Sequence, residues 1–140
     1  MALLIGIDTG VHTGFAVWDT KAQSFREIAT LKIHEALIKA YEYTKTDRVE
    51  VYFEDARKRT WIPREASLRE RVGRAQGAGS VKRDATIWED FLNGYGIPMH
   101  KVAPKNNVTK MNEDYFKALT KWTKRTSEHG RDAAMLVFGR

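Results

Sequence analysis

Two short aliphatic runs in this chain each stop abruptly at a carboxylate. Leu3–Ile7 lead directly to Asp8, and Val49–Phe53 lead directly to Glu54. Apolar runs of this length between polar residues are typical of buried strands. If the two strands are parallel neighbours, both acids project from the carboxyl edge of the sheet, where open α/β sheets bind ligands. The sequence therefore predicts acids at the functional edge of an α/β sheet.

Apolar periodicity and turn residues predict five strands and four helices. The predicted strands are Ala2–Asp8, Phe15–Asp19, Ser24–Ile33, Val49–Phe53 and Ile97–Val102. The predicted helices cover about 34–46, 65–93, 112–124 and 131–138. Short links make the first three strands an antiparallel meander, and helical crossovers make strands one, four and five parallel. The order β-β-β-α-β-α-β-α-α predicts one domain, residues 1–140, with a mixed sheet and helices on both faces.

Composition excludes several classes of protein. The 140 residues contain no cysteine, which excludes a disulfide scaffold, thiolate catalysis and cysteine-ligated metal sites. No apolar stretch reads as a secretory signal or a membrane span, so we expect a cytoplasmic protein without a membrane partner. The formal net charge of +6 suggests a polyanionic partner.

The last predicted helix adds His129 and Asp132, which lie three residues apart and so share one helical face. If they meet Asp8 and Glu54, three carboxylates converge and repel one another unless a cation lies among them. Oxygen donors with one nitrogen favour Mg²⁺ or Mn²⁺, and two such ions about 4 Å apart support phosphodiester hydrolysis. The alternatives are a turn-forming Asp8, a helix-end charge at Asp132 and a capping neighbour at His129.

Four segments follow one another in a specific order. They are Gly6–Gly10 followed by Thr13–Ala16, Glu54 after an apolar strand, Arg74–Gly77, and His129–Ala134. In this order and spacing they resemble the motifs of RuvC-type Holliday junction resolvases, of the ribonuclease H-like superfamily. The first motif also opens sugar kinases and Hsp70-like ATPases, but those folds need a second lobe and a second phosphate loop.

The resemblance implies a ribonuclease H-like fold and a crossover junction endodeoxyribonuclease, in a phage or prophage version that acts in the bacterial host cytoplasm. It implies that Asp8, Glu54 and Asp132 hold two Mg²⁺ ions per active site, for which Mn²⁺ substitutes. His129 occupies a position that is Asp in some members and His in others. Asp55 has no role in the family and is interpreted as a supporting or N-cap residue. The resemblance also implies a homodimer that nicks two opposed strands of a four-way DNA junction.

A basic segment directly follows the second acid and is interpreted as a phosphate-binding surface. Its candidate DNA-binding residues are Arg57, Lys58, Arg59, Trp61, Arg64, Arg69, Arg71, Arg74, Lys82 and Arg83. A solvated helix face is the alternative. Trp61 either stacks at an unpaired junction centre or packs onto the domain. Lys105 and Lys110, in the loop after strand five, are candidates for stabilising transition-state charge, with plain exposed lysines as the alternative.

Two further questions stay open from the sequence. An apolar stripe of Ala85, Trp88, Phe91 and Leu92 on the long helix is either core packing or part of a dimer surface. The function is either junction resolution, cleavage of flaps, forks or RNA–DNA hybrids by a related nuclease, or junction binding without catalysis.

Overall fold

The structure is a computed structural model that describes residues 2–58 and 68–140, with the side chains of 68–78, 80, 81 and 105 left undescribed. Across these residues the chain forms five strands and four helices. The strands are β1 (Ala2–Asp8), β2 (His12–Asp19), β3 (Ser24–Lys32), β4 (Arg48–Glu54) and β5 (Met99–Val102). The helices are α1 (Ile33–Thr44), α2 (Leu68–Gly94), α3 (Glu113–Thr120) and α4 (Glu128–Met135). Single 3₁₀ turns occur at Ala56–Lys58 and Pro104–Asn106.

The strands form one sheet in the order β3-β2-β1-β4-β5. β1 pairs antiparallel with β2, and β2 pairs antiparallel with β3. β1 pairs parallel with β4, and β4 pairs parallel with β5. This confirms the predicted α/β class and the predicted mixed sheet, with an antiparallel meander on one side of β1 and parallel strands on the other.

Helices cover both faces of the sheet, which explains why β1 is buried at every position from Leu3 to Ile7. Leu3, Ile5 and Ile7 belong to a core cluster with residues of α1 and α2. Leu4 belongs to a second cluster, on the opposite face, with residues of α3 and α4. Burial of one such side chain is worth about 1.5–3 kcal/mol, so the central strand anchors both layers.

The apolar stripe of α2 belongs to the core. Ala85, Trp88 and Leu92 are fully buried against the sheet, and Phe91 packs partly against the same cluster. Core packing is therefore the correct interpretation of this stripe, and the homodimer stays a prediction on other grounds. Residues 65–67 of the predicted long helix lie outside the described residues. No helix in the described part of the chain is both long and apolar enough to cross a membrane.

Local hydrogen bonds explain where the boundaries of β5 and α3 differ from prediction. β5 begins at Met99 because the Ile97 N–H donates to Leu92 O at 2.9 Å and Pro98 has no N–H to offer the sheet. α3 ends at Thr120 because Lys121 adopts a left-handed conformation, with φ of 67°.

The start of α4 determines where the candidate site residues lie. Ser127 caps this helix, since its hydroxyl accepts from Gly130 N at 3.0 Å. α4 therefore begins at Glu128, three residues earlier than the predicted Arg131. This start places His129 in the first turn and Asp132 about one turn later.

Candidate active site

The carboxyl ends of β1 and β4 bring two acids to the same edge of the sheet. The strands are parallel neighbours with Ile7 opposite Phe53, so the next residues, Asp8 and Glu54, occupy equivalent positions. The Thr9 hydroxyl donates to Glu54 O at 3.3 Å and links the two strand ends. The predicted placement of these acids on adjacent parallel strands is confirmed.

Two glycines allow α4 to approach this edge. A Cβ atom on Gly6 would lie 2.1 Å from the carbonyl oxygen of Ala133, and one on Gly14 would lie 2.0 Å from that of His129. Real Cβ atoms do not approach backbone oxygens this closely, so only glycine fits at either position. The close packing of α4 on β1 and β2 places the first turns of the helix beside Asp8.

Each of the three carboxylates receives a hydrogen bond on one oxygen. Asp8 Oδ2 lies 2.9 Å from His129 Nδ1. Glu54 Oε2 accepts from the Asn107 side-chain amide at 3.1 Å. Asp132 Oδ1 accepts from the backbone N–H of Lys110 at 2.8 Å. These partners come from two segments of the chain, α4 and the loop after β5, and among the residues whose side chains are described none donates a hydrogen bond to the second oxygen of any of the three acids.

The carboxylates interact electrostatically. Burial above all, together with the negative charges of Asp132 and Glu54, raises the pKa of Asp8 from 3.8 to about 6, against the lowering effect of the hydrogen bond with His129. Burial also raises the pKa of Asp132, while the hydrogen bond from Lys110 N lowers it. Repulsion and desolvation therefore disfavour the ionised form of Asp8, and a bound cation would relieve both.

The donor set fits a hydrated divalent cation. As the side chains stand, no group of three or more histidine, aspartate or glutamate residues in the described part of the chain is close enough to hold a metal ion. Mg²⁺, however, is commonly held by one or two carboxylates and keeps several waters. Asp8, Glu54 and Asp132 would be the oxygen donors for such an ion, and His129 would add Nε2.

The loop after β5 contributes to the site differently from what the sequence suggested. Lys110 meets Asp132 through its backbone N–H, which its left-handed conformation, with φ of 59°, presents to the acid, and its side chain is exposed. The backbone of Lys105 lies in a 3₁₀ turn, and its side chain is not described. Asn107, between the two lysines, contacts Glu54 and was not singled out in the sequence. Its only sequence signal was its place in the loop that follows a sheet edge rich in acids.

The basic segment divides into several parts. Arg59, Trp61 and Arg64 lie outside the described residues. Arg69, Arg71 and Arg74 lie on the described backbone of α2, but their side chains are not described. Lys58, Lys82 and Arg83 are exposed. Two of these three also contact the protein, since Lys58 Nζ donates to Lys101 O at 3.1 Å and Arg83 Nε lies 3.9 Å from Asp84 Oδ1.

Arg57 has a structural role that the basic pattern did not indicate. Its guanidinium makes two hydrogen bonds of 2.8 Å to Asp55 and also contacts Glu89 on α2. Lys101 on β5 pairs with the same Glu89 at 3.2 Å. Asp55 accepts from the Arg57 backbone N–H at 3.0 Å, which agrees with its interpretation as an N-cap residue. The hydrogen bonds from Arg57 hold the pKa of Asp55 below its usual range.

No protein-family model matches this chain, and no curated protein matches it either.

Proposed function

We propose that this chain is a divalent-metal-dependent, structure-selective endonuclease with a ribonuclease H-like fold that resolves four-way DNA junctions as a homodimer in the bacterial cytoplasm. One observation carries the proposal. Asp8 and Glu54, at the carboxyl ends of adjacent parallel strands, lie at the edge where α4 brings Asp132, and the charges of Glu54 and Asp132 raise the pKa of Asp8. No lysine or arginine side chain of the described residues pairs with these acids, which favours a metal-dependent reaction.

The protein groups have distinct roles in this proposal. Asp8, Glu54 and Asp132, with His129 Nε2, would hold Mg²⁺ or Mn²⁺, and these ions supply activation of water and stabilisation of the leaving oxygen. His129 orients Asp8 through Nδ1, and the backbone of Lys110 orients Asp132. Hydrolysis would leave a 5′-phosphate and a 3′-hydroxyl.

DNA binding is assigned to the basic segment, including Lys58, Lys82 and Arg83. These exposed cations lie on the turn that follows β4 and on α2, in the stretch that follows Glu54. Neutralisation of backbone phosphates provides affinity without sequence preference, as a nuclease that reads DNA shape requires. A two-fold dimer would supply two active sites for the two opposed strands of a four-way junction.

The direct test compares cleavage of a labelled four-way junction by the wild-type protein and by Asp8→Asn, in 10 mM Mg²⁺ or Mn²⁺. The expected result is paired symmetric nicking by the wild type and a loss of at least a hundredfold in the variant. Asp90→Asn, which makes the same chemical change at an exposed position of α2, is the matched control and should cut normally. Cleavage by Asp8→Asn at the wild-type rate would exclude the assigned site.

Substrate choice requires a second comparison. A related nuclease of the same fold would prefer flaps, forks or RNA–DNA hybrids. Cleavage rates on a four-way junction, a three-way junction and a hybrid duplex of matched length distinguish these functions. A hybrid preferred over both junctions would replace the resolvase proposal.

A binding module without catalytic activity is the second candidate function. It is favoured by the separation of the acids, since no three candidate ligands in the described part of the chain are close enough to hold an ion as they stand. This candidate predicts tight junction binding in a gel-shift assay with no cleavage under any divalent metal.

A further inference from the structure

The loop between β5 and α3 returns to the sheet edge and contacts two of the three acids. Asn107 donates from Nδ2 to Glu54 Oε2 at 3.1 Å and to the backbone oxygen of Asp132 at 3.4 Å. Lys110 N donates to Asp132 Oδ1 at 2.8 Å. A third hydrogen bond ties the loop to α4, since Arg131 Nε donates to Met111 O at 2.7 Å. Glu54 on β4 and Asp132 on α4 are therefore linked through this loop.

The chemistry of the contact identifies the atom of Asn107 that faces Glu54. Both partners, a carboxylate oxygen and a carbonyl oxygen, can only accept hydrogen bonds at neutral pH. The amide nitrogen provides two donors, one for each acceptor, whereas the amide oxygen would repel both. A neutral amide also leaves the negative charge of Glu54 intact, which a lysine at this position would cancel.

We propose that Asn107 is a positioning residue that fixes the carboxylate of Glu54 relative to Asp132 for binding a divalent cation. The inference rests on the proposed function and deepens it. By occupying Oε2, the amide leaves Oε1 of Glu54 for the cation. Residues that orient metal ligands commonly change metal affinity or activity ten- to a hundredfold when they are removed.

The test is a calorimetric titration of the full chain with Mn²⁺, without DNA, at pH 7.5. Asn107→Ala should bind Mn²⁺ about tenfold more weakly than the wild type. Asn107→Leu, which keeps approximate side-chain volume but has no donor, should show the same loss. The neighbouring Asn106→Ala is the matched control, because Asn106 is exposed, and it should bind like the wild type. Thermal unfolding of each variant verifies that the fold is retained.

The outcomes separate this inference from the proposed function. If the wild type binds Mn²⁺ and Asn107→Ala binds it equally well, the positioning role is wrong and the metal site stands. If Asn107→Leu binds like the wild type, the residue acts by packing, and the role of its donors is wrong. If the wild type binds no Mn²⁺ at all, the metal site falls, and with it this inference.

A spectroscopic measurement tests the contact itself without metal or DNA. The side-chain amide resonances of Asn107, identified by their absence in Asn107→Ala, should shift in the ¹H–¹⁵N spectrum of Glu54→Ala. The resonances of the Asn106 side chain should stay in place. Asn107 resonances that are unchanged in Glu54→Ala would contradict the contact, whatever the enzyme does.

Discussion

Glu54 and Asp55 are consecutive residues whose carboxylates enter opposite electrostatic environments. Asp55 is almost fully buried and is paired with the Arg57 guanidinium, which also contacts Glu89. Glu54 faces the other acids, and its side chain is held by the neutral amide of Asn107. Arg57 thus supplies a cation for Asp55, whereas no lysine or arginine side chain of the described residues pairs with Glu54.

The two environments change pKa values in opposite directions. Hydrogen bonds from Arg57 lower the pKa of Asp55, whereas burial and the neighbouring carboxylates raise that of Asp8 to about 6. Arg57 balances the charges of Asp55 and Glu89 within the protein. Within the described part of the chain the acids at the sheet edge have no lysine or arginine partner, and the resulting cost in stability is what the proposed metal site predicts.

The largest expected change in stability comes from a substitution whose side chain pushes α4 away from the sheet and so separates the acids. Gly14→Ala, on β2, would place a Cβ atom 2.0 Å from His129 O and 2.9 Å from Asp8 Cβ, so α4 must move away from the sheet. We expect a loss of about 3 kcal/mol in unfolding free energy, measured by urea denaturation. Gly79→Ala is the control, since nothing lies within 4 Å of its Cβ position on α2, and it should stabilise by about 1 kcal/mol. A Gly14→Ala protein as stable as the wild type would contradict the close packing of α4.

The sequence was sufficient for the sheet and for the acids at strand ends. Short apolar runs bounded by polar residues define buried strands, and the strands' connections define which are parallel, so the placement of Asp8 and Glu54 at one edge followed. The glycines of the first motif entered only through a family resemblance. Their physical reason, the approach of α4, depends on a contact between Gly14 and His129, which are far apart in the sequence.

The orienting contacts could not be predicted, because they join irregular segments. Asn107 lies 53 residues from Glu54, and the loop that carries it has no periodicity to reveal its direction. The role of Lys110 depends on a positive φ angle, which lysine rarely adopts. Arg57 looked like its basic neighbours, and only its contacts with Asp55 and Glu89 distinguish it from them.

The next largest change in stability is expected from removing Arg57, the cation that pairs with Asp55. Arg57→Met leaves Asp55 buried without its partner, and we expect a loss of about 2–3 kcal/mol in unfolding free energy at pH 7. The paired Asp55 has a lowered pKa, so its stabilisation is present above the pKa of the unfolded chain and is lost as the pH falls. The loss caused by Arg57→Met should therefore shrink below about pH 4. Lys82→Met, at an exposed position, should change stability little at either pH.

Removing the charge of Asp8, at the sheet edge, should change the free energy of unfolding in the opposite direction. The folded state raises the pKa of Asp8 from 3.8 to about 6, so it favours the protonated acid and loses stability as the pH rises through this range. Metal-free Asp8→Asn should be more stable than the wild type by about 1–2 kcal/mol at pH 7.5. The difference should grow between pH 4.5 and 6.5 in denaturation experiments.

Adding Mn²⁺ to the wild type and to Asp8→Asn tests the same repulsion in the presence of a cation. The ion should stabilise the wild type and leave Asp8→Asn nearly unchanged, because binding relieves a repulsion that the variant has already lost. Asp90→Asn should follow the wild type in both experiments. An Asp8→Asn protein less stable than the wild type at pH 7.5 would show that the Asp8–His129 contact outweighs the repulsion.

The smallest expected effect concerns one cation of the basic segment. Lys82 is exposed on α2, unlike the paired Arg57, so its charge is available to a phosphate. Lys82→Ala should weaken binding of a four-way junction about threefold and reduce the slope of log K against log salt by about 1. Lys21→Ala, in the turn after β2 at the opposite edge of the sheet, is the matched control and should leave both values unchanged. Equal effects of the two variants would mean that the overall charge of +6, and not the basic surface after Glu54, attracts the DNA.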